Sequence, residues 1–207
     1  MTNFFQAFIK GIFLGFSCAA PVGPIGILCI RRTLSDGMAA GLFSGLGAAT
    51  ADAVYGAIIG FGLTSMSNFL IKQQTSMNII GGIFLFYLGI KTFFSKPAPR
   101  AAQVKGTGLF AAYVTTFFLT MTNPMTIIFF TAIIATMGII TPTVSYMIPI
   151  GLVAGIFTGA AFWWFMLSFG VGIMREKLNE QHLLWINKFS GLIIIGFATF
   201  ILASLFK

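Results

Sequence analysis

The chain has 207 residues, 57% of them hydrophobic and only 8% charged, with a mean hydropathy of +0.97. Soluble domains carry roughly 25% charged residues, so composition excludes an ordinary water-soluble globule and points to a membrane-embedded chain. Twelve Lys and Arg against four Asp and Glu give a net charge of +8, yet no basic stripe interleaves with exposed aromatics, which argues against a nucleic-acid partner.

A spanning helix needs about 20 apolar residues at a rise of about 1.5 Å each, and six stretches are predicted to cross. The first, Phe4 to Ile30, is interrupted by Pro21-Val22-Gly23-Pro24. Lys10 and the apolar residues up to Cys18 mimic a secretory or lipoprotein signal, but the apolar run continues past the supposed cleavage point. The second stretch, Ala39 to Leu63, carries a small-residue face of Gly41, Gly45 and Gly47 with Ala48 and Ala49, which suits close helix packing. Near its middle stands Asp52, the only acidic residue in any predicted span. Such a residue costs about 2.5 to 3.5 kcal/mol to insert, so it is expected to face a cavity or a partner. Paired with Tyr55 or a backbone donor it would only fasten helices; otherwise it can hold a proton or a substrate ammonium in turn, the minimum equipment for proton-coupled antiport.

The third stretch runs from Met77 to Phe94 and leads into a polar connection, Ser95 to Gly108. The fourth, Leu109 to Met137, is interrupted at Asn123-Pro124; the flanking Thr122 and Thr126 can bond a substrate or their own helix. The fifth, Met147 to Met174, repeats the glycine face at Gly151, Gly155 and Gly159 and puts Trp163 and Trp164 near mid-span, where one can line a cavity or simply pack. A second polar connection, Arg175 to Lys188, holds His182, read as solvated, and precedes the sixth stretch, Phe189 to Phe206.

Orientation follows from Lys and Arg. Arg31 and Arg32, then Lys96, Arg100 and Lys105, then Arg175, Lys177 and Lys188 fall in the connections 1–2, 3–4 and 5–6, whereas the other side carries Lys72 and Lys207. The positive-inside rule places those connections in the cytoplasm and both termini outside.

An internal repeat divides the chain. Pro24 aligns with Pro124, Gly41 and Gly45 with Gly151 and Gly155, and Asn78 and Gly82 with Asn187 and Gly191. Residues 1–95 form a first three-helix repeat, 96–108 a cytoplasmic linker and 109–207 a second three-helix repeat. An odd span number inverts the second copy, giving an all-α membrane protein of two inverted repeats with spans 1 and 4 broken at proline, an architecture common among secondary transporters. In this register Asp52 aligns near Phe162, so only the first half supplies a titratable group.

Proline lacks an N–H and clashes with the preceding turn, so a helix breaks before it. In lipid the freed groups must meet neighbouring helices, polar side chains or a water-filled cavity. Half-helices starting after Pro24 and Pro124 would bring two positive dipole ends to the membrane centre, where they attract carboxylates. The bland alternative is a pair of packing kinks.

Other chemistries find little support. Cys18-Ala19-Ala20-Pro21 has the Cys-x-x-Pro form of membrane thiol carriers, but Cys29, eleven residues on, lies about 16 Å away if the segment is helical, beyond disulfide reach. No His-Glu-x-x-His, Gly-x-Ser-x-Gly or phosphate-binding loop occurs, so no enzyme, cofactor or metal is expected.

The run Gly15-Phe-Ser-Cys-Ala-Ala-Pro-Val-Gly-Pro24, followed by Gly41-Leu-Phe-Ser-Gly45-Leu-Gly-Ala-Ala-Thr-Ala-Asp52, Gly82-Ile-Phe-Leu-Phe-Tyr87-Leu-Gly89 and Thr122-Asn123-Pro124, resembles the LysE/RhtB family of amino-acid exporters over nearly the whole chain. The resemblance implies a six-span carrier of the bacterial inner membrane that expels amino acids or related zwitterionic metabolites on a proton or potential gradient. It carries substrate-binding roles to Pro21, Gly23, Pro24, Asp52, Asn123 and Pro124, with Asp52 the proton-coupling residue. The family's common Pro-Gly-Pro is here one residue longer. Partners expected are the substrate, protons and membrane lipid; a homo-oligomer is compatible with the sequence. A passive channel on the same spans, or a thiol-disulfide carrier, would be the competing function.

Overall fold

The computed structural model describes residues 4–21, 23–61, 72–95, 107–123, 125–130, 146–175 and 180–206. All regular structure among them is helical: α1 (Phe4–Ala19), α2 (Pro24–Asp36), α3 (Met38–Gly60), α4 (Gln74–Phe93), α5 (Thr107–Met121), α6 (Met147–Arg175) and α7 (Glu180–Ala203), then a 3-10 turn, Ser204–Phe206. Residues 125–130 form a further short helical segment.

Four helices, α3, α4, α6 and α7, are long and apolar enough to cross a membrane, and α1 with α2 supplies a fifth crossing if the pair is one broken span. The six-span expectation is thus met in part. The predicted fourth stretch begins as the shorter α5, and its portion from 131 onward lies outside the described residues.

The first break is sharp. α1 ends at Ala19, α2 starts at Pro24, and the two axes differ by 81°. Pro24 suits the start of α2, because proline at the first helical position forfeits an N–H that has no helical partner anyway. At the other end Gly37, with φ 105°, is the single residue between α2 and α3. That conformation is nearly closed to other residues.

Large apolar side chains point outward: Phe13, Phe110, Phe118, Phe165 and Phe200 are all at least half exposed. Phe130, Leu28, Ile156 and Ile194 fill the interior, and small residues mark the closest helix contacts. Lipid supplies no hydrophobic drive between helices, so association depends on close van der Waals contact of small-residue faces. α1 packs along α6, α3 along both α5 and α6, and α4 along α7. A methyl group on Gly15 or Gly159 would overlap the carbonyl oxygens of Ile156 and Ile12, and one on Gly47 that of Tyr113. Gly45 instead lies under the side chain of Trp164.

Two expected connections are helical. Arg31 and Arg32 lie on α2, and α7 begins at Glu180, which takes His182 and Lys188 out of the predicted loop. Hydropathy begins the sixth stretch too late because polar residues intervene, whereas the buried stripe Leu183, Asn187, Ser190, Ile194, Ala198 and Ile201 continues unbroken at helical spacing. His182 is exposed on the first turn of that helix.

Candidate functional site

Around the first break lies a cavity of about 500 Å³ bounded by α1, α2, α3, α5, α6, α7 and the segment 125–130. That is within the usual size of small-molecule sites. Of the residues singled out from sequence, Pro21, Gly23, Pro24, Asp52 and Asn123 all line it; Pro124 lies outside the described residues.

α2 presents its N-terminus to this space. Gly23 is the extended cap residue, no side chain caps the helix, and the first backbone turn is closed only by Ile27 N–H donating to the Gly23 carbonyl at 3.0 Å. Nothing lies within 4 Å of where a Gly23 side chain would start. The N–H groups of Ile25 and Gly26, both lining residues, precede the first intrahelical donor. Such an end favours an anion.

Asp52, 2% exposed, enters from the middle of α3. The Cys18 thiol donates to its Oδ1 at 3.7 Å. Tyr55 does not pair with it: that hydroxyl donates to the Met121 carbonyl at 2.6 Å, at the end of α5, and its ring stacks on Phe130. The Tyr55 fastener envisaged from sequence is therefore absent, replaced by a weak thiol contact.

At the second break Asn123 is occupied with the residues that follow it. Its Oδ1 accepts from Met125 N–H at 3.3 Å and its Nδ2 donates to Thr126 Oγ1 at 3.0 Å, so it caps the segment 125–130. Thr122 bonds back to the Phe118 carbonyl at 2.9 Å, the helix-satisfying alternative. Trp163 packs edge-on against Phe16, while Trp164 lines the cavity. Both cysteines are free; Cys29 is fully buried on α2 and Cys18 faces Asp52. Among the described residues no cluster of metal-binding side chains occurs.

Sequence reasoning missed Thr120, Phe129 and Phe197 as lining residues. Thr120 lies one turn before Asn123, a spacing that shares a helix face and could have marked it. It also missed the far end of α2. Arg32, 9% exposed, donates through Nη1 to Ser44 Oγ at 2.8 Å, Ala112 O at 3.0 Å and Thr116 Oγ1 at 2.9 Å. Arg31 donates to Asn187 Oδ1 at 3.0 Å and Ser95 Oγ at 2.7 Å, and its Nη1 lies 3.7 Å from Asp36. These two arginines join α2 to α3, α5, α7 and the end of α4, rather than sitting in a solvated connection.

The LysE type translocator family matches residues 16–205. A Bacillus subtilis (strain 168) protein named "Putative amino acid efflux protein YcgF" is 29% identical over 198 residues, covering 92% of this chain and 93% of that protein. No solved structure matches significantly. With a membrane-spanning helical fold and a family match over most of its length, the chain belongs to the LysE type translocator family: it is a translocator, not an enzyme.

Proposed function

We propose that this protein exports amino acids or related small zwitterionic metabolites across the bacterial inner membrane by proton-coupled antiport. The observation that carries the reading is the meeting, in one cavity, of the uncapped α2 N-terminus with the buried carboxylate of Asp52. A zwitterion complements both: its carboxylate rests on the N–H groups of Ile25 and Gly26, and its ammonium exchanges with a proton on Asp52 as the cavity alternates sides. The efflux named for the Bacillus subtilis relative fits this assignment.

The mechanism uses six spans in two inverted repeats, 1–95 and 109–207, with Pro124 starting a second half-helix opposite Pro24 and both termini outside. Packing supports this arrangement. Exchanging the halves turns the α1–α6 contact into α5–α3 and carries the α3–α6 and α4–α7 contacts onto themselves.

Reconstituted proteoliposomes loaded with labelled amino acids test the proposal. Efflux should exceed that of empty liposomes and rise with an imposed pH gradient, and Asp52→Asn should abolish the gradient-driven part. Gradient-insensitive flux through the wild type would favour a channel; full gradient-driven efflux by the variant would remove Asp52 from the coupling.

A further inference from the structure

Two residues that line the cavity each carry a buried polar atom with no hydrogen-bond partner among the described residues: Trp164, through Nε1 on α6, and Thr120, through Oγ1 on α5, in residues 4% and 2% exposed; Asn78 Oδ1 and Ser168 Oγ share that state away from the cavity. For Thr120 this is out of step with its neighbours. Thr115, Thr116 and Thr122 each donate to the carbonyl four residues back, as do Thr50 and Thr158 elsewhere. A buried hydroxyl that forgoes this ready partner costs free energy unless something else accepts its proton. Trp164 can only donate. Gly45 makes room directly beneath its Cβ, and the side chain packs with Ile25 and Ala48, which line the same cavity.

The packing also assigns Trp164 a place in the repeat. Gly47 meets the Tyr113 carbonyl on α5, and Gly159 meets the Ile12 carbonyl on α1. The Pro24 to Pro124 offset carries Ile12 to Ala112, one residue from Tyr113. Pairing Gly47 with Gly159 then carries Asp52 onto Trp164, not onto Phe162, which is 56% exposed. By this register the second half supplies a donor where the first supplies an acceptor.

No Lys, Arg or His lines the cavity among the described residues, so a substrate carboxylate must be held by neutral donors. The rest of the wall is largely apolar, with Ile25, Phe129 and Phe197 prominent. We infer that the Trp164 indole N–H and the Thr120 hydroxyl join the N–H groups of Ile25 and Gly26 in binding the carboxylate of a zwitterionic amino acid whose own side chain is apolar and lies against Ile25, Phe129 and Phe197. This rests on the reading of the cavity as the amino-acid site. A second carboxylate or an ammonium on the substrate side chain finds no opposite charge beyond the one Asp52 already gives to the α-ammonium.

Counterflow in proteoliposomes without a pH gradient tests it, using leucine, phenylalanine, lysine and glutamate, with 3-methylbutylamine as a competitor that lacks the carboxylate. Wild type should carry leucine and phenylalanine at least about tenfold better than lysine or glutamate. Trp164→Phe, which keeps a ring over Gly45, and Thr120→Val, which keeps the shape, should each raise KM for leucine about tenfold with the maximal rate nearly unchanged. Inhibition by 3-methylbutylamine should be equal in all three proteins. Unchanged KM in both variants, or weakened binding of the amine as well as of leucine, overturns the carboxylate contact. Lysine or glutamate carried as well as leucine overturns the apolar side-chain class. If the wild type moves no amino acid at all, the underlying transport reading fails and takes this assignment with it, a result distinct from any variant effect.

Discussion

At its Asp36 end α2 is tied to four other parts of the fold, and at its Pro24 end it faces open space. The first end gathers Arg31, Arg32, Ser35 and Asp36 with Asn187, Ser44, Thr116 and Ser95; Asn187 alone accepts from Arg31 and Ser35 and donates to the Ser95 carbonyl at 3.2 Å. The second has, among the described residues, an uncapped helix start, a carboxylate with one thiol contact, and two buried groups without partners. Helix α2 is only about 20 Å long, so the contrast develops within four turns. A dense charge-assisted network holds a helix in one place even with Ser168 Oγ unpartnered nearby, whereas unsatisfied buried groups beside a cavity cost free energy that a ligand can recover. The difference teaches where function and stability should separate: substitutions at the Asp36 end should destabilise, and substitutions at the Pro24 end should remove transport while leaving the fold nearly intact.

The strongest attempt to break this contrast is Arg32→Met. The substitution keeps much of the apolar stem and deletes three charge-assisted hydrogen bonds. Single intramembrane bonds average about 0.6 kcal/mol and charged donors exceed neutral ones, so a loss of about 2 to 3 kcal/mol is expected, read as a lowered unfolding midpoint in detergent. An unmoved midpoint would mean that the arginine contacts contribute nothing to holding α2.

Gly37→Ala acts on the same end through the backbone. At φ 105° and ψ 161° the residue occupies a region that is essentially restricted to glycine. The expected cost is about 1 to 2 kcal/mol, smaller than that of Arg32→Met, with substrate KM unchanged in whatever fraction remains folded. A change in KM without loss of stability would indicate that the α2–α3 corner shapes the cavity and that the two ends are not independent.

How much of this was legible before the fold depended on whether a residue was conspicuous in its own segment. Asp52, Pro21, Gly23 and Pro24 stood out because an acid or a helix breaker is costly in an apolar run, and the cavity gathers them. Arg31 and Arg32 are equally conspicuous, but by themselves they mark only a membrane face. Their partners, Ser44, Ala112, Thr116 and Asn187, lie between 12 and 156 residues away and include a backbone carbonyl, so no local pattern announces them. A different signal was available: Pro24 at the start and Gly37 just past the end frame a 13-residue helix that contains both arginines. Trp164 was visible as an odd mid-span residue, yet the glycine register pointed to Phe162, because Gly41 and Gly45 pack on side chains of Thr33 and Trp164 whereas Gly151 and Gly155 pack on the α1 backbone. Sequence similarity of small residues does not fix which neighbour they admit.

The smallest expected stability effect is at Asp52, and it is the sharpest test of the comparison. A carboxylate at 2% exposure whose hydrogen-bond contact among the described residues is a thiol at 3.7 Å gains little from it in return for its lost hydration. Asp52→Asn preserves the shape, removes the charge and lets the amide donate as well as accept. The unfolding midpoint should therefore stay within about 1 kcal/mol of wild type, on the stabilised side if it moves, because an intramembrane acid is costly to insert. Gradient-driven efflux from the same preparation should be lost. A loss of stability as large as that of Arg32→Met would show that Asp52 fastens α3 to α1 through Cys18, and the open end of α2 would then be held by the same rule as the arginine end.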